Sequence, residues 1–138
     1  AFGTTNWDFA NMQMGLLANA ISSGGEVKED EVNSALAAMH GIQPRDEIES
    51  MLAAQMIAVH RGSMTMSRRL LSADNIEQQN SAVNALTKLN RTFTAQMEAL
   101  NRNRGKGQQK MTVEHVHVHD GGQAIVGNVK GGGGDAKK

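Results

Sequence analysis

Residues 44–102 read PRDEIESMLAAQMIAVHRGSMTMSRRLLSADNIEQQNSAVNALTKLNRTFTAQMEALNR, and this stretch decides the fold. From Pro44 to about Leu71, the residues Ile48, Leu52, Met56, Val59, Met66 and Leu70 recur at steps of three and four or their multiples. That spacing places them on one face of an α-helix. Pro44 fits a first helical position, and Asp46 and Glu47 follow where the helix dipole favours acids. Gly62 and Ser63 thin the stripe, so either another helix approaches closely there or the helix bends. Ser72-Ala73-Asp74-Asn75 is a short loop in which Asp74 and Glu77 stand at capping distance. A further helix is expected from about Asn75 to Arg102. Ile76, Val83, Leu86, Leu89, Phe93, Met97 and Leu100 line it at near-heptad spacing. Long helices joined by so short a loop pack antiparallel, so residues 44–104 are expected to form a helical hairpin.

Upstream, residues 1–43 read as an N-terminal helical extension. A helix is expected over 5–22, with Thr5 and Asp8 as its capping pair and Phe9, Met12, Leu16 and Ala20 on one stripe, Leu17 and Ile21 beside it. Ser22-Ser23-Gly24-Gly25 ends it, glycine supplying the left-handed backbone of a C-cap. A second helix is expected over 26–40, with Val32, Leu36 and Met39 on one face and Gly41 closing it. Downstream, residues 105–110 form a basic linker, and then the period changes. Met111 to His119 alternates strictly, Asp120-Gly121-Gly122 is a turn signal, and Gln123 to Val129 is rich in β formers, so 111–129 reads as a β-hairpin. Residues 130–138 carry four consecutive glycines and no core, which is the composition of a flexible tail.

Composition narrows the function. The chain has 138 residues, 39% of them apolar, with three Phe, one Trp and no Tyr, so its core is thin and partner chains are expected to supply the missing burial. The absence of Cys excludes disulfides, thiolate metal sites and a Cys nucleophile. No apolar run approaches the roughly 18–20 residues of a membrane span, and no signal peptide opens the chain. Ala1 is the residue that removal of an initiator Met exposes, so the expected location is cytoplasmic. None of G-x-S-x-G, a P-loop, G-x-G-x-x-G or H-E-x-x-H occurs, and no acid or His stands beside a partner that would tune it, so no enzyme and no small-molecule substrate are expected. Eight acids stand against two bases in residues 1–50, a net of −6, and three against nine in residues 51–110, a net of +6. That asymmetry reads either as two solvated faces or as head-to-tail complementarity between copies.

One segment carries candidate chemistry: Glu114-His115-Val116-His117-Val118-His119-Asp120. On a strand His115, His117 and His119 share a face with Met111 and Val113, while Val116 and Val118 share the other. A two-stranded hairpin is marginal in water and leaves both edges open, so it invites pairing with another copy. Three readings of the histidines compete. They are polar side chains on a solvated or inter-subunit face; or ligands of a divalent metal such as iron or zinc shared between chains; or a pH switch. The His-x-His pattern resembles that of phage tail-fibre tips and spikes, whose intertwined chains hold iron on their axis. His40 and His60 are isolated on helices and read as surface or packed residues. Arg102, Arg104, Lys106 and Lys110 form a basic patch able to hold phosphates, although overall neutrality and the shortage of aromatic rings count against nucleic acid.

The segment from Arg104 to Val129, with Gln-Lys-x-Thr-Val-x-His-Val followed by Gly-Gly-Gln-Ala-Ile-Val-Gly-Asn-Val, resembles the C-terminus of a family of small uncharacterised proteins. These are mainly alphaproteobacterial and often lie in phage-like or mobile loci. The resemblance extends over roughly residues 44–129 and implies a helical segment followed by this tail, with no assigned activity. The later His positions vary in that family, which weakens a family-wide metal role for His117 and His119. The combined expectation is a mainly α protein: N-terminal helices, an antiparallel helical hairpin, and a C-terminal β-hairpin that pairs between subunits. Its function would be structural, a homo-oligomeric ring or filament joined through Val113, Val116, Val118, Ile125, Val126 and Val129.

Overall fold

The computed structural model describes residues 1–105. They form four α-helices: α1 (Trp7–Ile21), α2 (Glu29–Ile42), α3 (Glu47–Leu71) and α4 (Ile76–Gly105). The β-hairpin expected over 111–129, most of the linker before it and the glycine-rich tail lie outside the described residues.

Local chemistry explains the helix ends, with four corrections. Asn6 rather than Thr5 caps α1: its Oδ1 accepts from the Phe9 N–H at 3.0 Å. Thr4 sets this register, because its hydroxyl accepts from the Asn6 N–H at 3.0 Å and donates to the Glu47 carboxylate. Gly41 does not close α2. The helix runs on to Ile42, and Gln43 takes the left-handed backbone at φ 51°, its N–H donating to the Met39 carbonyl at 3.2 Å. Pro44 next in line disfavours continuing the right-handed helix at Gln43. Pro44 itself is buried and lies two residues ahead of the α3 cap, not inside the helix. The cap is Asp46, whose Oδ1 accepts from the Glu49 N–H at 2.8 Å. At the hairpin loop Asn75 Oδ1 accepts from the Gln78 N–H at 2.8 Å, and Gln78 Oε1 accepts from the Asp74 N–H at 3.1 Å. That is a reciprocal cap displaced by one residue from the expected Asp74–Glu77 pair.

α3 is the organising element. α1 and α2 pack on one side of it and on each other, and α4 packs along the other side. Phe2, Leu17, Ile21, Ala35, Met39 and Ala53 form the buried core where α1, α2 and α3 meet, with Leu36, Ile42 and Ile57 packed against it. The buried contacts of α1 and α2 therefore engage the first half of α3. Gly3 seals this end: a Cβ there would stand 2.2 Å from the Pro44 carbonyl oxygen, so only glycine lets the N-terminal segment lie down and insert Phe2.

α3 and α4 run antiparallel. Glu49 meets Asn103 and Arg104, His60 meets Phe93, and Gly62 meets Leu89. Gly62 thus faces α4 with room for a Cβ in ordinary contact with Leu89. The faces differ from the expected stripes. Met12 and Leu16 on α1 are 56% exposed, and Gln13, Leu17 and Ile21 are buried instead. On α3 Ile48 is 66% exposed; the rest of its stripe is buried or half-buried, joined by the buried Ala53 and Ser63. On α4 Ile76, Val83 and Met97 are exposed, while Leu86, Leu89 and Phe93 are half-buried, Leu100 is buried as expected and Ala82 is buried beside them. The reason is common to all three. Each helix has apolar residues on more than one side, and neighbours choose which side is covered.

Candidate functional site

Three features stand out beyond the core: a buried ion-pair network, a polar cleft, and an apolar surface. The network centres on Glu49, whose side chain is 2% exposed. Its Oε2 accepts from Arg104 Nε at 3.2 Å and Nη2 at 3.1 Å, and from the Arg45 N–H at 3.0 Å. Its Oε1 accepts from Asn103 Nδ2 at 3.2 Å. Burial pushes this carboxyl up, but the Arg104 guanidinium, the Arg45 N–H and Asn103 together outweigh it and hold the group below its ordinary value. Arg104 Nη2 also donates to the Ile42 and Gln43 carbonyls at 2.7 and 3.1 Å. One guanidinium therefore ties the last turn of α4 to the start of α3 and the end of α2. A carboxylate held this way is a poor proton carrier at neutral pH, and the network is structural in its chemistry. The Asp46-x-x-Glu49 spacing is a capping pattern that signals Glu49 in the sequence, but nothing local signals Arg104 as its partner.

The basic patch expected for phosphates is divided by this finding. Arg104 is engaged with Glu49, Arg102 is exposed, and Lys106 and Lys110 lie outside the described residues. The charge asymmetry is likewise met partly within the chain. Acidic Glu31 and Glu49 of the first fifty residues pair with Arg61 and Arg104 of the basic stretch.

The polar cleft has a volume of 520 Å³ and lies where α2 crosses α3, lined by Asp30, Glu31, Ser34, His60 and Arg61 among others. Arg61 Nη2 donates to Ser23 Oγ at 2.8 Å and to the Glu31 carboxylate. Ser23 Oγ in turn donates to Glu31 Oε1 at 3.3 Å. His60 packs instead against Phe93, ring centroids 6.2 Å apart at 50°. Among the described residues no hydrogen bond joins His60 to Ser34 or to an acid, so the cleft holds no assembled nucleophile and base. No group of three or more His, Asp or Glu able to hold a metal occurs among the described residues. The histidines expected to do so, His115, His117 and His119, lie outside them.

The apolar surface is the larger feature. Among the described residues twelve large apolar side chains are exposed, six (Phe2, Leu17, Ile21, Met39, Met56 and Leu100) are buried and twelve are half-buried, so the core is thin. A groove of 280 Å³ between α1 and α3 gathers Leu16, Leu17, Ala20, Met51, Ala54 and Ala58. At the hairpin tip Leu71 is 90% and Ile76 74% exposed. The expected interface residues Val113, Val116, Val118, Ile125, Val126 and Val129 lie outside the described residues. No described helix is long and apolar enough to cross a membrane. No family model matches the chain, and no curated protein or solved structure is similar to it.

Proposed function

We propose that this chain is a non-enzymatic structural protein that assembles with copies of itself. The observation that carries the reading is the excess of exposed over buried large apolar side chains on the helical body. Where such side chains gather, as Leu16, Ala20, Met51 and Ala54 do in the groove between α1 and α3, the surface is of the kind that marks an interaction site. Two sequence features support the same reading. Residues 111–129 alternate as a strand pair with open edges, and the segment 44–129 resembles small proteins of phage-like and mobile loci. The body supplies a rigid helical unit, and Val113, Val116, Val118, Ile125, Val126 and Val129 join copies through shared sheet into a ring or filament.

Native mass spectrometry of the full chain against one ending at Gly107 tests the joining role of the C-terminal segment. The full chain is expected as a multimer of the 14.8 kDa subunit, and the shortened chain as smaller species. An unchanged assembly after truncation would remove the C-terminal segment from the account.

A further inference from the structure

The ion pairs Glu31–Arg61 and Glu49–Arg104 use up only part of the acid surplus of the first fifty residues and of the base surplus that follows. Bases left over gather in one place. A cleft of 810 Å³ between the α1–α2 loop and the second half of α3 is lined by Lys28, Arg61, Arg68 and Arg69, with Glu31 as the acid in its wall. Arg61 takes that acid. Lys28, Arg68 and Arg69 are exposed, and no acid among the described residues pairs with them. Met64, 53% exposed, adds an apolar edge to the same cleft.

A surface of opposite charge lies at the far end of the same helices. Thr4 bonds both the α1 cap, Asn6, and Glu47, so the first turns of α1 and α3 start side by side. Ser23, just past α1, meets Arg61 further along α3, so the two helices run parallel. At their shared start Asp8, Asp46 and Glu47 are exposed, while Arg45 beside them lies 3.8 Å from Glu49. Trp7 and Ile48 stand bare at the same corner, 73% and 66% exposed. Helix dipoles account for acids at helix starts and bases at helix ends, but not for a bare Trp and Ile among the acids. Corner and cleft cannot meet within one chain. Asp46 and Arg68 stand at opposite ends of α3, about 33 Å apart at 1.5 Å per residue. That is about four screening lengths at physiological salt. Glu26, Glu29 and Asp30 differ: they lie within two residues of Lys28, so their attraction to it is available inside one copy.

We infer that the basic cleft between the α1–α2 loop and α3 docks the acidic corner of a second copy, head to tail. The inference rests on the preceding reading only in taking the chain to be self-associating, and it places a second interface on the helical body. Lys28, Arg68 and Arg69 of one copy face Asp8, Asp46 and Glu47 of the next, and Trp7 and Ile48 leave water against the cleft wall that holds Met64. Opposite charge sets direction and register, and apolar burial supplies affinity. Each copy offers one cleft and one corner, so the contact is heterologous and repeats into a ring or a filament.

Trp7 is the single Trp of the chain and belongs to the corner, so its fluorescence reports this contact directly. In the full-length chain its emission is expected to move to the blue as concentration rises and to move back in high salt. Two full-length variants test the pairing. Arg68→Glu with Arg69→Glu reverses the cleft, and Asp8→Lys with Glu47→Lys reverses the corner. Each alone is expected to lose the blue shift and to give smaller species by native mass spectrometry, with circular dichroism unchanged because all four positions are exposed. Mixed one to one they are expected to regain both, since each reversed surface then meets its opposite on the other copy. Loss in each variant without recovery on mixing overturns the pairing. A parent chain that is multimeric while its Trp7 emission ignores concentration and salt also overturns it, and leaves the C-terminal reading standing. A parent chain that is monomeric overturns both.

Discussion

The two ends of the α3–α4 hairpin are held by different physics. At the base, Glu49 and Arg104 are tied to each other and to the α2 terminus, beside a core that includes Met39 and Ala53 at 0% exposure. At the tip, Leu71 and Ile76 are bare, and Ala82 is the buried side chain nearest the loop among the described residues. At one end α3 is thus flanked by α1 and α2 as well as α4, and at the other the two hairpin helices hold only each other. Stability concentrates where α1 and α2 add a third and fourth helix, and the tip is where local opening should begin.

The sharpest way to break this contrast is Arg104→Ala. It leaves buried Glu49 with only the half-exposed Arg45 guanidinium, 3.8 Å away, and is expected to cost about 3 kcal/mol, the lower end for a broken buried pair, read as a fall in the thermal midpoint. The pH dependence follows from the same group. The folded-state pKa of Glu49 lies below its unfolded value, so its contribution is present above the unfolded value of about 4.3 and is lost as pH falls through the folded one. Thermal midpoints taken between pH 7 and pH 3 should show this acid loss in the parent and a shallower one in Glu49→Gln. Asp46→Ala removes the α3 cap and should cost about 1 kcal/mol in denaturant unfolding.

Gly62→Ala sharpens the comparison from the opposite direction, in the middle of the hairpin. A Cβ there would meet Leu89 Cδ1 at 3.4 Å, an ordinary contact. The substitution should therefore stabilise by about 0.8–1 kcal/mol, the helix-propensity difference between the two residues. A loss instead would mean that α3 and α4 approach more tightly there. The smallest effect is expected at the tip, where Leu71→Ser should change stability by less than about 0.5 kcal/mol. A fall of several times that size would show that the tip is packed in solution, as it would be within an assembly.

Much of the fold was legible from residues 44–102, because helix period and loop chemistry are local. The hairpin and its antiparallel sense both follow from spacing and a four-residue loop. Faces were harder to read. Met12, Leu16, Ile48, Ile76, Val83 and Met97 belong to valid helical stripes, yet each lies on the side its neighbours leave open. Of the candidate site residues, Arg102 and Arg104 lie in the described part. Arg104 serves as a clamp, a role that depends on a carboxylate 55 positions away.

The sequence by itself determined the number of helices, their approximate ends and the change of period after residue 110, since each depends on residues within a few positions of one another. Only the tertiary structure decided which apolar face is buried and that acids of the first half pair with arginines of the second. Those outcomes depend on surfaces brought together across the chain. Burial and desolvation, which reward such contacts, act on the assembled neighbours and leave no periodic trace in the sequence.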